Sequence, residues 1–433
     1  MKILSITAGA ANMYCGSCLR DNALAGELRR QGHDVILLPL YTPTRTDEAN
    51  FSHQRVFFGG ISIFLEQNVP LFRRTPKFLD WLWDLPGVIS LFAGRGVEVD
   101  PAQLGALTVS ILEGVHGHQR KEIANLTDWL RHEPRPDLVT LPYTLLLSLA
   151  RPLKEVTGRP VVCTLQGEEL FLQGLAEPYR SRALDLVRRQ VEDVDAFIAV
   201  SHYGARFMAG FLGIPPGKIH TVPLGISLDG HQRVPRNPGG TRRIGFLSRI
   251  APEKGLHLLA EAFRILHDRG DRSVVLEAAG YIAPEQRAYL AEVQGKLAGW
   301  GLTDRFTYHG ELDRAAKLAF LQSLDVMSIP ATYDEPKGIP VLEALASAVP
   351  VVQPRRGSFP EMIEATGGGL LVEPDSPEAL ATALAAMLGD TEMARRMGDS
   401  GHAAVHARFG IAAMAEATAA VYESVCRPVA SIS

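Results

Sequence analysis

Two carboxylates, Glu335 and Glu343, stand with seven residues between them in YDEPKGIPVLEALASAVP, residues 333–350. The apolar run Asp325 to Ile329 reads as a strand, the stretch with Pro336 and Gly338 as a loop, and Val341 to Ala348 as an apolar-periodic helix. Pro340 suits that helix's first turn, where its missing N–H is not needed. The loop's backbone N–H groups, with Gly338 and Ile339 at the helix start, then converge on a positive helix end that stabilises a phosphate or a developing anion. Glu335 before that end and Glu343 inside the helix can both accept bonds from the hydroxyls of one bound molecule. A phosphate and several hydroxyls held together describe a sugar nucleotide.

A second cluster lies in IGFLSRIAPEKG, residues 244–255, where an apolar strand runs into a turn carrying Arg249 and Lys254 before the periodic helix Leu256 to His267. Arginine offers a planar fork to phosphate oxygens and lysine a compact charge. Together they can stabilise a leaving diphosphate without a metal ion.

These groups need a scaffold, and the chain supplies strand and helix in alternation twice over. The first half shows short apolar runs at Ile3 to Thr7, Asp34 to Pro39, Leu138 to Leu141, Val161 to Leu165, Ala196 to Val200 and Ile219 to Val222. The second half repeats the pattern at Arg243 to Leu247, Val274 to Ala278, Phe306 to Tyr308, Val326 to Ile329, Val351 to Gln353 and Gly369 to Val372. Such alternation predicts parallel sheets wrapped by helices, an α/β architecture whose ligands bind beyond the carboxyl ends of the strands. Between Gly225 and Thr241 the sequence GISLDGHQRVPRNPGGT is rich in Gly, Pro and polar residues and marks a domain boundary.

With 433 residues, 46% hydrophobic and 21% charged, the chain can bury two substantial cores. A net charge of −4 argues against a nucleic-acid partner. No apolar run approaches the ~18 residues of a membrane span, and KILSIT near the start is too short for a signal-peptide core. A cytoplasmic location is expected.

The stretch EPKGIPVLE followed by ALASAVPVV resembles the E-x7-E signature of the family 4 glycosyltransferases, and residues 244–255 resemble that family's G-R-L-x-x-x-K-G element, with Ser248 where Gly is usual. The resemblance is strong from Arg243 to Pro374 and weak between Ala49 and Val109. It implies the GT-B fold, two Rossmann-like domains facing a central cleft: an acceptor-side domain at 1–228 with an insertion around 50–108, a donor domain at 241–410, and a terminal helix at 411–433, Tyr422 included, crossing back to the first domain. It also implies a retaining transfer from a nucleotide-sugar donor to a hydroxyl acceptor, carbohydrate, small molecule or lipid-linked. In that reading Arg249 and Lys254 stabilise the departing diphosphate, Glu335 orients the sugar, Glu343 holds the ribose, and Gly16, Gly338 and Ile339 line the donor site. Rival readings are a non-catalytic sugar-nucleotide-binding protein and another enzyme of this fold, such as an epimerase or phosphorylase.

In the first half, Gln166, Gly167, Glu168 and Glu169 follow a strand and are expected on the acceptor side; Glu168 is a candidate for contacting the acceptor or for capping a helix. The family often carries His near these positions, where this chain has Thr140, Pro142 and Gln166, so no His-assisted step is assigned. His116 and His118 fall in a helical pattern and are expected at the surface. Asp193 to Asp195 forms a D-x-D that precedes its strand, so no metal site and no cofactor is expected. Cys15 and Cys18, in the loop after the first strand, are expected as thiols lining the cleft rather than a zinc or redox site. The apolar stretch from Phe57 to Gly105, with Phe78, Trp81 and Trp83 beside Arg73, Arg74 and Lys77, reads as a helical insertion; Asp80 and Asp84 interrupt its basic face, and a weak membrane association is the alternative.

Overall fold

The computed structural model describes residues 1–9, 16–42, 49–53, 101–234 and 240–427. Cys15 and the aromatic stretch up to residue 100 lie outside the described residues. Two compact units emerge, one of residues Met1–Pro223 with Met414–Ser433, the other Leu224–Ala413.

The first unit carries β1 (Lys2–Thr7), β2 (Asp34–Pro39), β3 (Leu138–Leu141), β4 (Val161–Leu165), β5 (Ala196–Ala199) and β6 (Ile219–Thr221), paired in the order β2-β1-β3-β4-β5-β6 and all parallel. Every residue of β3, β4 and β5 is buried, as befits LVTL, VVCTL and AFIA strands covered on both faces. The edge strand β6 is only half-buried and correspondingly polar, with His220 and Thr221. The second unit holds β7 (Arg242–Leu247), β8 (Val274–Ala279), β9 (Phe306–Tyr308), β10 (Val326–Met327), β11 (Val351–Pro354) and β12 (Gly369–Val372) in the order β12-β11-β10-β7-β8-β9.

Each order reverses once. In the second sheet the reversal lies between β7 and β10, which pair directly through Val326 with Ile244 and Met327 with Gly245. Chains leaving the carboxyl ends of two such strands diverge to opposite sides, which opens a crevice for a ligand between them. The Arg249–Lys254 turn follows β7 and the Glu335 loop follows β10. In the first sheet the reversal lies between β1 and β3.

Some element ends differ from the sequence expectation. The helix after Glu335 runs from Ile339 to Ala346 rather than Val341 to Ala348: Pro340 sits in its first turn, and Ala348 takes a left-handed φ of 57° that turns the chain into β11. Gly16 and Cys18 are not in a loop but open the Gly16–Arg30 helix. Cys18 faces inward with Ala25 and Leu28 and is 1% exposed, so it lines no open surface. His116 is exposed at the end of a short 3-10 turn, whereas His118 lies in a turn outside any helix, its N–H donating to Ser110 Oγ at 2.9 Å. No helix among the described residues is long and apolar enough to cross a membrane.

Candidate active site

The second unit brings Lys254 and Glu335, 81 residues apart, into contact. Gly255 makes this possible. Its φ of +79° lets the chain turn from the Pro252–Lys254 3-10 turn into the Leu256–Asp268 helix, and a Cβ there would meet Pro330 O at 1.9 Å. The two loops are also laced by Thr332 N–H donating to Glu253 O at 2.9 Å.

Lys254 Nζ donates to Glu335 Oε2 at 2.6 Å and to the Tyr333 hydroxyl at 2.5 Å, and lies 4.7 Å from the centre of the Tyr333 ring. The Tyr333 hydroxyl in turn donates to Glu335 Oε2, and Lys337 N–H donates to Oε1 at 3.2 Å. The Glu335 carbonyl accepts from both N–H and Oγ of Ser358, each at 2.8 Å, so backbone and side chain are both fixed. Glu335 is 7% exposed. Burial pushes its carboxyl pKa up, but the charge and hydrogen bond of Lys254, the Tyr333 hydroxyl and the charge of Lys337 outweigh it and hold the value down to about 2. Burial and the Glu335 charge push the Tyr333 phenol far above its usual range, so it stays a donor.

Glu343 lies in the Ile339–Ala346 helix and pairs with Lys317 Nζ at 2.8 Å. Lys317 comes from the Arg314–Ser323 helix, whose start is capped by Asp313 Oδ1 accepting from Ala316 N–H at 2.8 Å. Gly338, at φ 62°, is the cap residue before Ile339, and the first N–H groups there have no intrahelical acceptor. Arg249 extends from the β7 turn with its side chain half exposed and paired with Glu253.

In the first unit, Asp21 accepts from Thr7 Oγ1 at 3.1 Å and pairs with buried Arg20 at 3.1 Å. Gln166 Nε2 donates to Asp21 Oδ1 at 3.4 Å and to Pro142 O at 2.8 Å, while its Oε1 is buried without a partner among the described residues. Glu168 caps no helix; its oxygens accept from Thr144 N–H at 3.0 Å and Gln166 N–H at 2.8 Å, tying the loops after β3 and β4 together. Tyr422, 2% exposed on the Ile411–Cys426 helix, bonds Thr140, and Cys426 Sγ donates to Asp137 O at 3.5 Å.

Residues 106–229 match the model of the family "Glycosyltransferase Family 4" and residues 230–403 that of "Glycosyl transferases group 1". The chain belongs to the family 4 glycosyltransferases. A relative, the MMP alpha-(1->4)-mannosyltransferase of Mycolicibacterium hassiacum, is 29% identical over 66% of this chain and 70% of its own length. The D-inositol 3-phosphate glycosyltransferase of Corynebacterium glutamicum is 31% identical over 43% of this chain and 44% of its own, so the chain spans under half the length of that relative. An uncharacterised glycosyltransferase of Methanocaldococcus jannaschii is 26% identical over 94% of both chains. Among solved structures, sucrose-phosphate synthase of Thermosynechococcus elongatus superposes with a TM-score of 0.72 at 18% identity over 98% of both chains. Anabaena HepE in complex with UDP and glucose gives 0.68 at 17% identity over 98% of this chain and all of its own. These likenesses give this glycosyltransferase the GT-B fold.

Within this glycosyltransferase, Lys254 and Glu335 form an ion pair, and Gly338 and Ile339 stand at the start of the helix that follows. Glu343 is paired with Lys317. The D-x-D of Asp193 and Asp195 lies at the amino end of its strand, where Arg151 holds Asp193 at 2.9 Å and Lys154 holds Asp195 at 2.8 Å. Sequence reasoning missed Tyr333 as a partner of both Lys254 and Glu335. It also missed His231, 4% exposed, whose Nδ1 meets Ser347 Oγ at 2.8 Å at the far end of the Glu343 helix. Tyr333 stands two residues before Glu335, where an aromatic hydroxyl reads as ordinary loop composition; His231 lies in a polar stretch that reads as linker.

Proposed function

We propose that this glycosyltransferase moves a sugar from a nucleotide-sugar donor to a hydroxyl acceptor with retention of anomeric configuration, its donor bound by the second unit. The observation that carries this reading is the Lys254–Glu335–Tyr333 cluster at the β7/β10 reversal, next to the start of the Ile339–Ala346 helix. A diphosphate there meets the Lys254 ammonium, the Arg249 guanidinium and the N–H groups of Gly338 and Ile339. As the sugar–phosphate bond breaks, negative charge grows on the departing diphosphate, and these groups are preorganised to stabilise it. The acceptor hydroxyl attacks the sugar carbon from the face that the diphosphate leaves, and its proton passes to the departing diphosphate oxygen as the sugar–phosphate bond breaks. Glu335, ionised at any working pH, accepts bonds from sugar hydroxyls through lone pairs that Lys254 and Tyr333 leave open. Glu343 takes the ribose hydroxyls.

The two cationic side chains do the work that a divalent ion does in other transferases, so no metal or cofactor is needed in this account. Gly16, Gln166 and Glu168 belong to the first unit, Gly16 at a helix start and Gln166 and Glu168 just after β4. The M. hassiacum relative's name, a mannosyltransferase, supports sugar transfer, and the UDP complex of HepE supports a nucleotide-sugar donor.

A thermal-shift screen of UDP-, GDP- and ADP-sugars, followed by product detection with the donor that binds, tests the reading. A ligand at about 100 times its dissociation constant stabilises by about 2.7 kcal/mol, enough to rank donors. One donor class stabilising the protein and being consumed is the expected result. Binding without consumption across acceptors would favour a binding protein, and release of a sugar 1-phosphate would favour a phosphorylase.

A further inference from the structure

We propose that Tyr333 is a positioning residue that aims Lys254 at the diphosphate, a role that rests on the nucleotide-sugar reading of this site. An ammonium has three N–H donors on a freely rotating head. In Lys254 one donor is taken by the Tyr333 hydroxyl at 2.5 Å and one by Glu335 Oε2 at 2.6 Å. The third has no recorded partner among the described residues. With two of three bonds fixed, and the Tyr333 ring 4.7 Å from Nζ on one side, the direction of the third N–H is set.

Tyr333 is suited to this in three ways. Its hydroxyl accepts from Lys254 while donating to Glu335 Oε2, so one oxygen locks both partners of the ion pair. Its backbone lies two residues before Glu335, on a loop held to the Lys254 turn through Thr332 and Glu253. Without the hydroxyl, Lys254 keeps a single anchor, Glu335, and can swing along the carboxylate toward either oxygen. The ammonium then samples positions from which it no longer meets the outer phosphate. Glu335 by itself fixes how far Lys254 can go; Tyr333 fixes where it points.

The inference predicts a selective loss. A nucleoside diphosphate engages Lys254 through its outer phosphate, whereas a nucleoside monophosphate lacks that group. Tyr333→Phe removes one oxygen and keeps the ring. Calorimetric binding of UDP against UMP, GDP against GMP and ADP against AMP, without any acceptor, reads the diphosphate preference directly. For the pair that binds, Tyr333→Phe is expected to weaken the diphosphate about tenfold and leave the monophosphate within about twofold, the scale of one hydrogen bond to a charged group. Equal weakening of both, or no weakening of either, overturns the role of Tyr333. If the Phe variant does not fold, Tyr333→Met, a flexible apolar replacement, carries the same expectation and the same contrary result. A wild-type protein that binds none of the six nucleotides overturns the nucleotide-sugar reading together with this role. A wild-type diphosphate preference that survives in the variants overturns the role alone.

Discussion

The Glu335 carboxylate accepts from the Lys254 ammonium at 2.6 Å and from the hydroxyl of Tyr333 on the same oxygen, leaving Oε1 to the Lys337 N–H. A buried ion pair of this kind adds little net stability, because desolvation offsets much of the attraction. Removing one partner is different, since the other charge is then left buried alone.

Glu335→Gln is therefore expected to do two things at once. Transfer falls to background, because a sugar hydroxyl loses charged-acceptor bonds of about 1.5–3 kcal/mol each. Unfolding free energy drops by about 3 kcal/mol as Lys254 loses its counter-charge. Assay and urea denaturation of the same preparation check both, and turnover near the wild-type value would remove Glu335 from the site.

Arg249 is half exposed, and its surface pair with Glu253 is weak enough for a diphosphate to displace. Arg249→Ala should cut turnover by about 10² to 10³, as loss of one preorganised charge donor does, while weakening donor binding much less. Kinetics with saturating donor separate the two; weaker donor binding with saturated turnover unchanged would make Arg249 a ground-state contact.

His231 gives a pH signature. Burial lowers its pKa from 6.5 to about 4, with the charges of Arg314 and Lys317 adding to the effect. Between those values the unfolded chain binds a proton that the folded chain refuses, so stability falls as pH drops through 6.5 toward about 4. The sum is at most about 3 kcal/mol. His231→Gln should flatten this part of the pH–stability curve, read by urea denaturation at pH 7 and pH 5; an unchanged slope would assign the acid sensitivity to other groups.

Gly357 holds the Glu335 backbone at close quarters: its φ is +58°, and a Cβ would lie 2.5 Å from both N and O of Glu335. Gly357→Ala should cost activity beyond its cost in stability, about 1–3 kcal/mol for such strain. Full activity in a folded variant would show that the Glu335 backbone tolerates displacement.

Cys163 is fully buried on β4, and burial pushes its thiol well above the usual range. Mass-spectrometric mapping after alkylation of the native protein should find Cys163 unmodified while the half-buried Cys426 reacts. Early modification of Cys163 would contradict the packing of the first sheet.

The strands were legible because apolar runs such as VVCTL and AFIA need burial on both faces, and their ends fell within a residue or two of those observed. The place of Arg249, Lys254 and Glu335 after strand ends was legible, although the Lys254–Glu335 contact itself depends on β7 pairing with β10. The Lys317–Glu343 pair was not, since it depends on how the Arg314–Ser323 helix is laid against the Ile339–Ala346 helix, which periodicity does not specify. Gly16 and Cys18 read as loop because glycine and serine disfavour helix interiors, yet they fall in the first turn of the Gly16–Arg30 helix, where that penalty is small. In sequence Glu168 reads equally as acceptor contact or helix cap, because its two backbone N–H partners come from loops that meet only once β3 and β4 pair.

Titration calorimetry of UDP-, GDP- and ADP-sugars into wild type and into the double variant Lys254→Met with Glu335→Gln shows whether Lys254 and Glu335 form a nucleotide-sugar site. The double change removes both charges, so neither is left buried alone. One donor class is expected to bind wild type and to bind the folded double variant at least about tenfold more weakly, the loss of one charged hydrogen bond or more. Equal affinity for the two proteins, or no binding of any nucleotide sugar to wild type, would contradict it.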